Sequence, residues 1–327
     1  MKLFNPIHFP SMSRWLPALV ILVVAQLVQA QSWQATTGAQ TQSKRIQALA
    51  FLPNEIWIHA GDTVKWNFPV DEVHTVTFLT PDQLRPGSKV GCPGTTADGS
   101  PFDGTTCVNG GRMTKGQTYS VTFPVAGNFK LTCLVHTSMT GVVHVLDPAM
   151  PLPHDQAFYD DQAAVQQRDL LYSGAYLDHR PTHSHGNEVT AGVGEIVATS
   201  GGPNAISIMR FEEPDKIIHV GDTVEWTNSD PIVPHTMTFG IEPADLVPPS
   251  ANVTVDADGA RHGVISSTAD NVHSGWIIAS GHERTGVAQA PLGVTRFRVT
   301  FTQAGVFHYI CGLHDQLGMK GKVIVVP

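Results

Sequence analysis

At 327 residues the chain has room for two domains of ordinary size, each able to bury its own core. Its formal charge of −8, from 20 basic and 28 acidic residues with no basic run, argues against nucleic acid as a partner, because phosphates demand a cationic face. With 30 Gly, 23 Pro and many short Val/Ile/Thr/Phe runs, the composition points to an all-β architecture rich in turns.

Residues 1–30 read as a cleaved export signal: Lys2 and Arg14 precede an apolar run from Leu16 to Val28, and the small-residue site Val28-Gln29-Ala30 follows. That run of about 13 apolar residues is shorter than the ~20 a membrane helix needs. No later segment approaches transmembrane length. The mature chain is expected to begin near Gln31 in an oxidising compartment, periplasmic or secreted.

From there the chain repeats itself. IWIHAGDTVKW at 56–66 returns as KIIHVGDTVEW at 216–226, and HTVTF at 74–78 as HTMTF at 235–239. The third pair is YSVTFPVAGNFKLTCLVH at 119–136 and FRVTFTQAGVFHYICGLH at 297–314. Three blocks in one order predict a duplicated domain, over 31–147 and 203–327. Alternation such as Val64/Trp66/Phe68 and Val224/Trp226, with Gly-Asp turns between, predicts half-buried strands of a β-sandwich. Residues 148–202 are expected to be a linker. It carries one short helix from about Asp155 to Ser173, where Phe158, Val165 and Tyr172 recur at heptad spacing and Gly174 follows as a stop. That helix is expected to pack between the domains, and the Gly-rich stretch 192–202 to be irregular.

Strand parity puts Phe129, Leu131 and Cys133 on one face, and likewise Phe307, Tyr309 and Cys311, so each thiol should point inward. After each Cys the chain turns and offers His136 and Met139, or His314 and Met319. His74 and His235, heading HTVTF and HTMTF, can supply a second imidazole from a neighbouring strand. Two imidazoles, one thiolate and a weak axial thioether suit copper cycling between Cu(I) and Cu(II); zinc would prefer a tighter tetrahedron. Thr75 and Thr236, beside the first histidines, are expected to orient the site through hydrogen bonds.

Both halves resemble cupredoxins, the blue-copper family that includes plastocyanin, amicyanin and pseudoazurin. Cys133-x-x-His136-x-x-Met139 is similar to the short amicyanin loop, and Cys311-x-x-His314-x-x-x-x-Met319 to the plastocyanin or pseudoazurin loop. The resemblance implies Greek-key sandwiches and two type 1 copper ions, one per domain. Their ligands would be His74, Cys133, His136 and Met139, then His235, Cys311, His314 and Met319. It also implies a one-electron carrier rather than a catalyst, with a redox protein as donor and another as acceptor. The unequal loops should give unequal potentials, with His136 and His314, nearest the loop surface, as the points where electrons pass in and out.

Four cysteines allow three pairings, and an exported chain could use all of them as disulfides. Cys92 and Cys107 bracket a Gly/Pro-rich loop without a His or Met pattern and are read as a disulfide; Cys133 and Cys311 occupy equivalent places in separate domains. His59 and His219 fit solvated strand ends, His144 and His308 outward positions, and Met113 a packing role. His262, His273 and His282, with Trp276, fall in an insertion of the second domain and could form a partner surface or a further metal site. A multicopper-oxidase reading is weak, because His183-Ser-His185 is the one His-x-His pair. A nitrite-reductase-like interface copper would draw on His179, His183 and His185. Copper storage or delivery usually relies on Met-rich or His-rich exchangeable tracts, which are absent here.

Overall fold

The computed structural model describes residues 30–180, 186–279 and 294–327. Residues 1–29 of the expected export signal (1–30), His183, His185 and His282 therefore lie outside the described residues.

Alternation folds as expected. In Thr63–Asn67 the side chains of Val64 and Trp66 are buried and those between them face outward, and Thr223–Ser229 repeats the pattern with Val224 and Trp226. Each half is a sandwich. One layer of the first half orders Glu55–His59, Thr140–Leu146, Gly127–Thr132, Thr77–Phe78 and Val108–Asn109. The matching layer of the second half orders Asp215–His219, Lys320–Val326, Gly305–Ile310, Thr238–Phe239 and Val272–His273.

The other layers of the two halves are joined into one sheet, eleven strands wide among the described residues. The join is an antiparallel pairing of Ile46–Leu52 with Asn204–Glu212, in the register Ala205↔Leu49, Ile206↔Ala48, Ser207↔Gln47 and Ile208↔Ile46. Ile46–Leu52 is buried along its whole length, as a strand covered on both faces must be. Leu49 and Phe51 face the first core, while Ile46, Ala48, Ala50 and Leu52 form a separate cluster with Ile206, Ile208, Leu170 and Leu177.

The helix that covers this seam runs over Gln156–Asp178, longer than predicted. Asp155 caps it by accepting the Phe158 N–H at 3.0 Å. Phe158, Val165 and Tyr172 prove to be 41%, 44% and 77% exposed, so the expected heptad face is the outer one. The buried face is instead Tyr159, Leu170, Gly174 and Leu177, continued by partly buried Ala163. Gly174 does not stop the helix. It brings the backbone so close to the seam that a Cβ there would sit 2.3 Å from Ile46 Cγ2. The helix also ties the halves by charge, Asp178 accepting Arg45 at 3.6 Å and Arg210 at 2.8 Å.

Residues 188–197, expected within the irregular linker, form the strand Glu188–Val197, parallel to Thr223–Ser229 as Ser32–Gln40 is parallel to Thr63–Asn67. Gly192 and Gly194 interrupt the alternation that would have announced it. Cys92 and Cys107 are bonded, with Cα atoms 5.8 Å apart; closing that loop contributes about 3 kcal/mol in the chain-entropy model.

Candidate metal centres

In the first half, Thr77↔Thr132 and Phe78↔Leu131 pairing lays the HTVTF segment beside the strand that ends at Cys133. His74 is fixed by exchanging both backbone hydrogen bonds with Met113, at 2.9 and 2.8 Å, and His235 by the same exchange with Ile277, at 3.0 and 2.8 Å. Met113 holds His74 through its backbone, while its side chain packs on the first core as expected. Each Cys loop is closed on itself: the Cys133 N–H donates to the Met139 carbonyl at 3.0 Å and that of Cys311 to the Met319 carbonyl at 3.1 Å. In the longer second loop a 3-10 turn, Asp315–Leu317, takes up the extra residues.

These constraints bring three donors together in each half. His74 Nδ1 and His136 Nδ1 are 3.1 Å apart and lie 4.0 and 3.8 Å from Cys133 Sγ. His235 Nδ1 and His314 Nδ1 are 3.2 Å apart and lie 3.8 and 3.3 Å from Cys311 Sγ. Donors held at about 2.0–2.3 Å from a shared metal ion are separated by about 3–4 Å, so both hollows have the size of a metal site. They are the two groups of His, Cys, Asp and Glu found at such spacing among the described residues. Neither thiol is in a disulfide.

Water is kept out. None of His74, Cys133, His136, Met139, His235, Cys311, His314 or Met319 is more than 3% exposed. His136 and His314, expected nearest the surface, are therefore buried, because the ends of the two halves that carry them pack on each other. Ile232, Val233 and Leu317 of the second half belong to the apolar cluster of the first.

The electrostatics favour thiolates. Burial pushes the Cys133 thiol up, but hydrogen bonds and charge from His136 and His74 outweigh it and hold the group well below its usual range; for Cys311 the charge of His314 and the contact with His235 do the same. Burial lowers His136 and His235, yet their contacts with the thiolates and with Glu72 or Asp230 raise both to about 9. Glu72, raised by burial, is brought down to about 2 by His136, His314 and His74. A metal ion takes sulfur as thiolate, so each hollow is prepared for one.

Around the donors, Thr75 and Thr236 behave partly as expected. Their backbone N–H groups donate to Cys133 and Cys311 Sγ at 3.4 Å, while Thr75 Oγ1 accepts the Leu134 N–H at 2.7 Å and Thr236 Oγ1 the Gly312 N–H at 2.8 Å. Four other residues escaped the sequence reading. Gly38 and Gly192 sit at matching bulges with φ of +77° and +67°, and a Cβ there would lie 2.8 and 2.0 Å from Nε2 of His74 and His235. Their matched place in the first strand of each repeat was the available signal. Arg85 donates to the Cys133 carbonyl, and Glu72 touches His136; neither has a counterpart in the repeat that would have marked it.

Of the insertion histidines, His262 and His273 do not converge. His273 is a buried, satisfied histidine between Thr238 Oγ1 (2.8 Å) and the Leu246 carbonyl (3.1 Å), whereas His262 pairs with Asp256 in the other sheet. His179 contacts the Ala175 carbonyl at the end of the helix.

A duplicated β-sandwich with a buried thiolate–imidazole hollow in each half defines a metalloprotein of the cupredoxin class. A family model described as copper binding proteins, plastocyanin/azurin family, matches residues 38–146 and 197–326, and the chain belongs to that family. Among solved structures it is similar to a reduced amicyanin mutant, 23% identical over 35% of this chain and 82% of the amicyanin, with a TM-score of 0.24. Amicyanin from Paracoccus versutus (Thiobacillus versutus) is 25% identical over 36% of this chain and 83% of its own, with a TM-score of 0.23. Oxidised plastocyanin from Dryopteris crassirhizoma is 15% identical over 42% of this chain and 99% of its own, with a TM-score of 0.22. No helix among the described residues is long and apolar enough to cross a membrane.

Proposed function

We propose that the protein is an exported one-electron carrier with a type 1 copper in each half, held by His74, Cys133, His136 and Met139 and by His235, Cys311, His314 and Met319. The observation that carries this reading is the repetition of one buried hollow, two Nδ1 atoms about 3 Å apart facing one thiolate, in both halves of a copper-family chain. Copper bound there supplies the one-electron Cu(I)/Cu(II) couple.

The chain's own residues do the rest. Cys133 and Cys311 present thiolates, and the Thr75 and Thr236 amides donate to the sulfurs and fix their direction. Met139 and Met319, fully buried and tied by their carbonyls to the cysteine N–H groups, would supply the weak axial sulfur. The dry shell keeps solvent from reorganising around the changing charge, and strand ends held by backbone pairing keep the donors in place in both oxidation states. The disulfide supports an oxidising compartment. Donor and acceptor are redox proteins.

Metal analysis with visible and spin-resonance spectra of the mature protein tests this. Two coppers per chain with type 1 signatures are expected. A colourless copper-loaded protein, or a type 2 signal in place of type 1, would overturn it.

A further inference from the structure

The two hollows are neighbours, and one side chain lies between them. Glu72 Oε1 is 3.3 Å from His136 Nε2 in the first half, and Oε2 is 3.9 Å from His314 Nε2 in the second. The first distance is that of a long hydrogen bond to an imidazole N–H; the second is an electrostatic contact, too long for one. Among the described residues no Lys or Arg pairs with Glu72.

A carboxylate 7% exposed is expensive to bury unless its partners require it. The fold does not require it. Glu72 stands two residues before His74, and the matching position before His235 is Val233, which packs into the shared apolar cluster without a charge. The second half keeps its own buried carboxylate, Asp230, on His235 rather than on the histidine that faces the other half. Glu72 is thus particular to the junction, where it lies buried between His136 and His314.

We propose that Glu72 connects the two centres, so that electrons cross between the halves over the path His314–Glu72–His136. The inference rests on the reading of both hollows as copper sites. With copper held in both hollows, one site would give up a single electron, Cu(I) to Cu(II), and the other would accept it, Cu(II) to Cu(I). No covalent bond forms or breaks, and both Nε2 protons stay on their rings. The path is bonded throughout except at two polar contacts, 3.3 Å to His136 and 3.9 Å to His314, and a carboxylate filling that space couples donor to acceptor more strongly than the same width left without it. The carboxylate also favours a proton on His136 Nε2, which leaves the Nδ1 of that ring to face the metal hollow.

The test uses the full chain with both sites copper-loaded. A substoichiometric pulse of a radical reductant is followed by optical monitoring of how the electron redistributes between the two centres. Glu72→Val, the residue found at the matching position, should retain both blue absorptions yet slow the exchange by an order of magnitude or more, with Glu72→Gln between it and the native protein. Unchanged exchange in Glu72→Val with both centres filled would overturn the proposal. Proton NMR of the fully reduced native protein gives a reading independent of any variant. The His136 ring N–H proton should resist exchange with solvent, and its free exchange would overturn the connector. A native protein lacking two blue centres would instead remove the copper reading beneath it.

Discussion

Gly38 and Gly192 make the upstream histidines possible. A positive φ costs an ordinary residue about 1–2 kcal/mol, and here a Cβ would also press on the imidazole. Gly38→Ala is expected to lower stability by at least this amount and to reduce copper retention in the first site while the second stays filled; Gly192→Ala should reverse the pattern. Unfolding curves and per-site metal content check both. His273 illustrates the opposite kind of histidine. Burial holds it below its ordinary value of about 6.5. The neutral ring is therefore favoured by folding, a contribution present above pH ~6.5 and lost as pH falls through the lower folded value. Stability measured against pH should decline on the acid side from about that point, and a His273→Gln variant should show a flatter decline.

At the scale of elements, strands with a repeated partner were legible and the helix was legible only in part. Its existence and its place between the halves follow from the sequence. Its buried face does not, because the residues that touch the seam are Ala163, Leu170, Gly174 and Leu177 with Tyr159, a stripe of mixed polarity in which small size is what matters. Bulky Phe158, Val165 and Tyr172 drew the reading to the wrong side. Gly174→Ala isolates the point: alanine is the better helix former by about 1 kcal/mol, yet its Cβ would collide with Ile46. Denaturant unfolding should show a net loss, of the order of 1–3 kcal/mol typical of overpacking. The strand Glu188–Val197 was missed for a related reason, since its bulge glycine hides the alternation.

For the whole molecule, the two sites face different charges. Glu72 touches both sites, at His136 and at His314, but Arg85 lies against Cys133 in the first, whereas the second adds Asp230 beside His235 and Glu242 near Gly312. Positive charge stabilises the reduced form, which carries one positive charge fewer, and negative charge the oxidised form. If both sites bind copper as proposed, a redox titration should resolve two steps, with the higher potential in the first half. Arg85→Gln should narrow the gap. A single step, or the reverse order assigned by site-specific loss of one thiolate, would count against this account. Electrons would then run from the second half to the first.

The sequence by itself determined the duplication, the sandwich class and the eight candidate ligands, because strand parity and the Cys-to-Met loops are local patterns written twice. Only the tertiary structure decided that the halves share one sheet, that a helix seals its seam, and that His136 and His314 are turned toward each other across Glu72. Those features arise from contacts between segments far apart in the chain. Each has a single copy, so repetition could not announce it, and each depends on fit and burial rather than on periodicity.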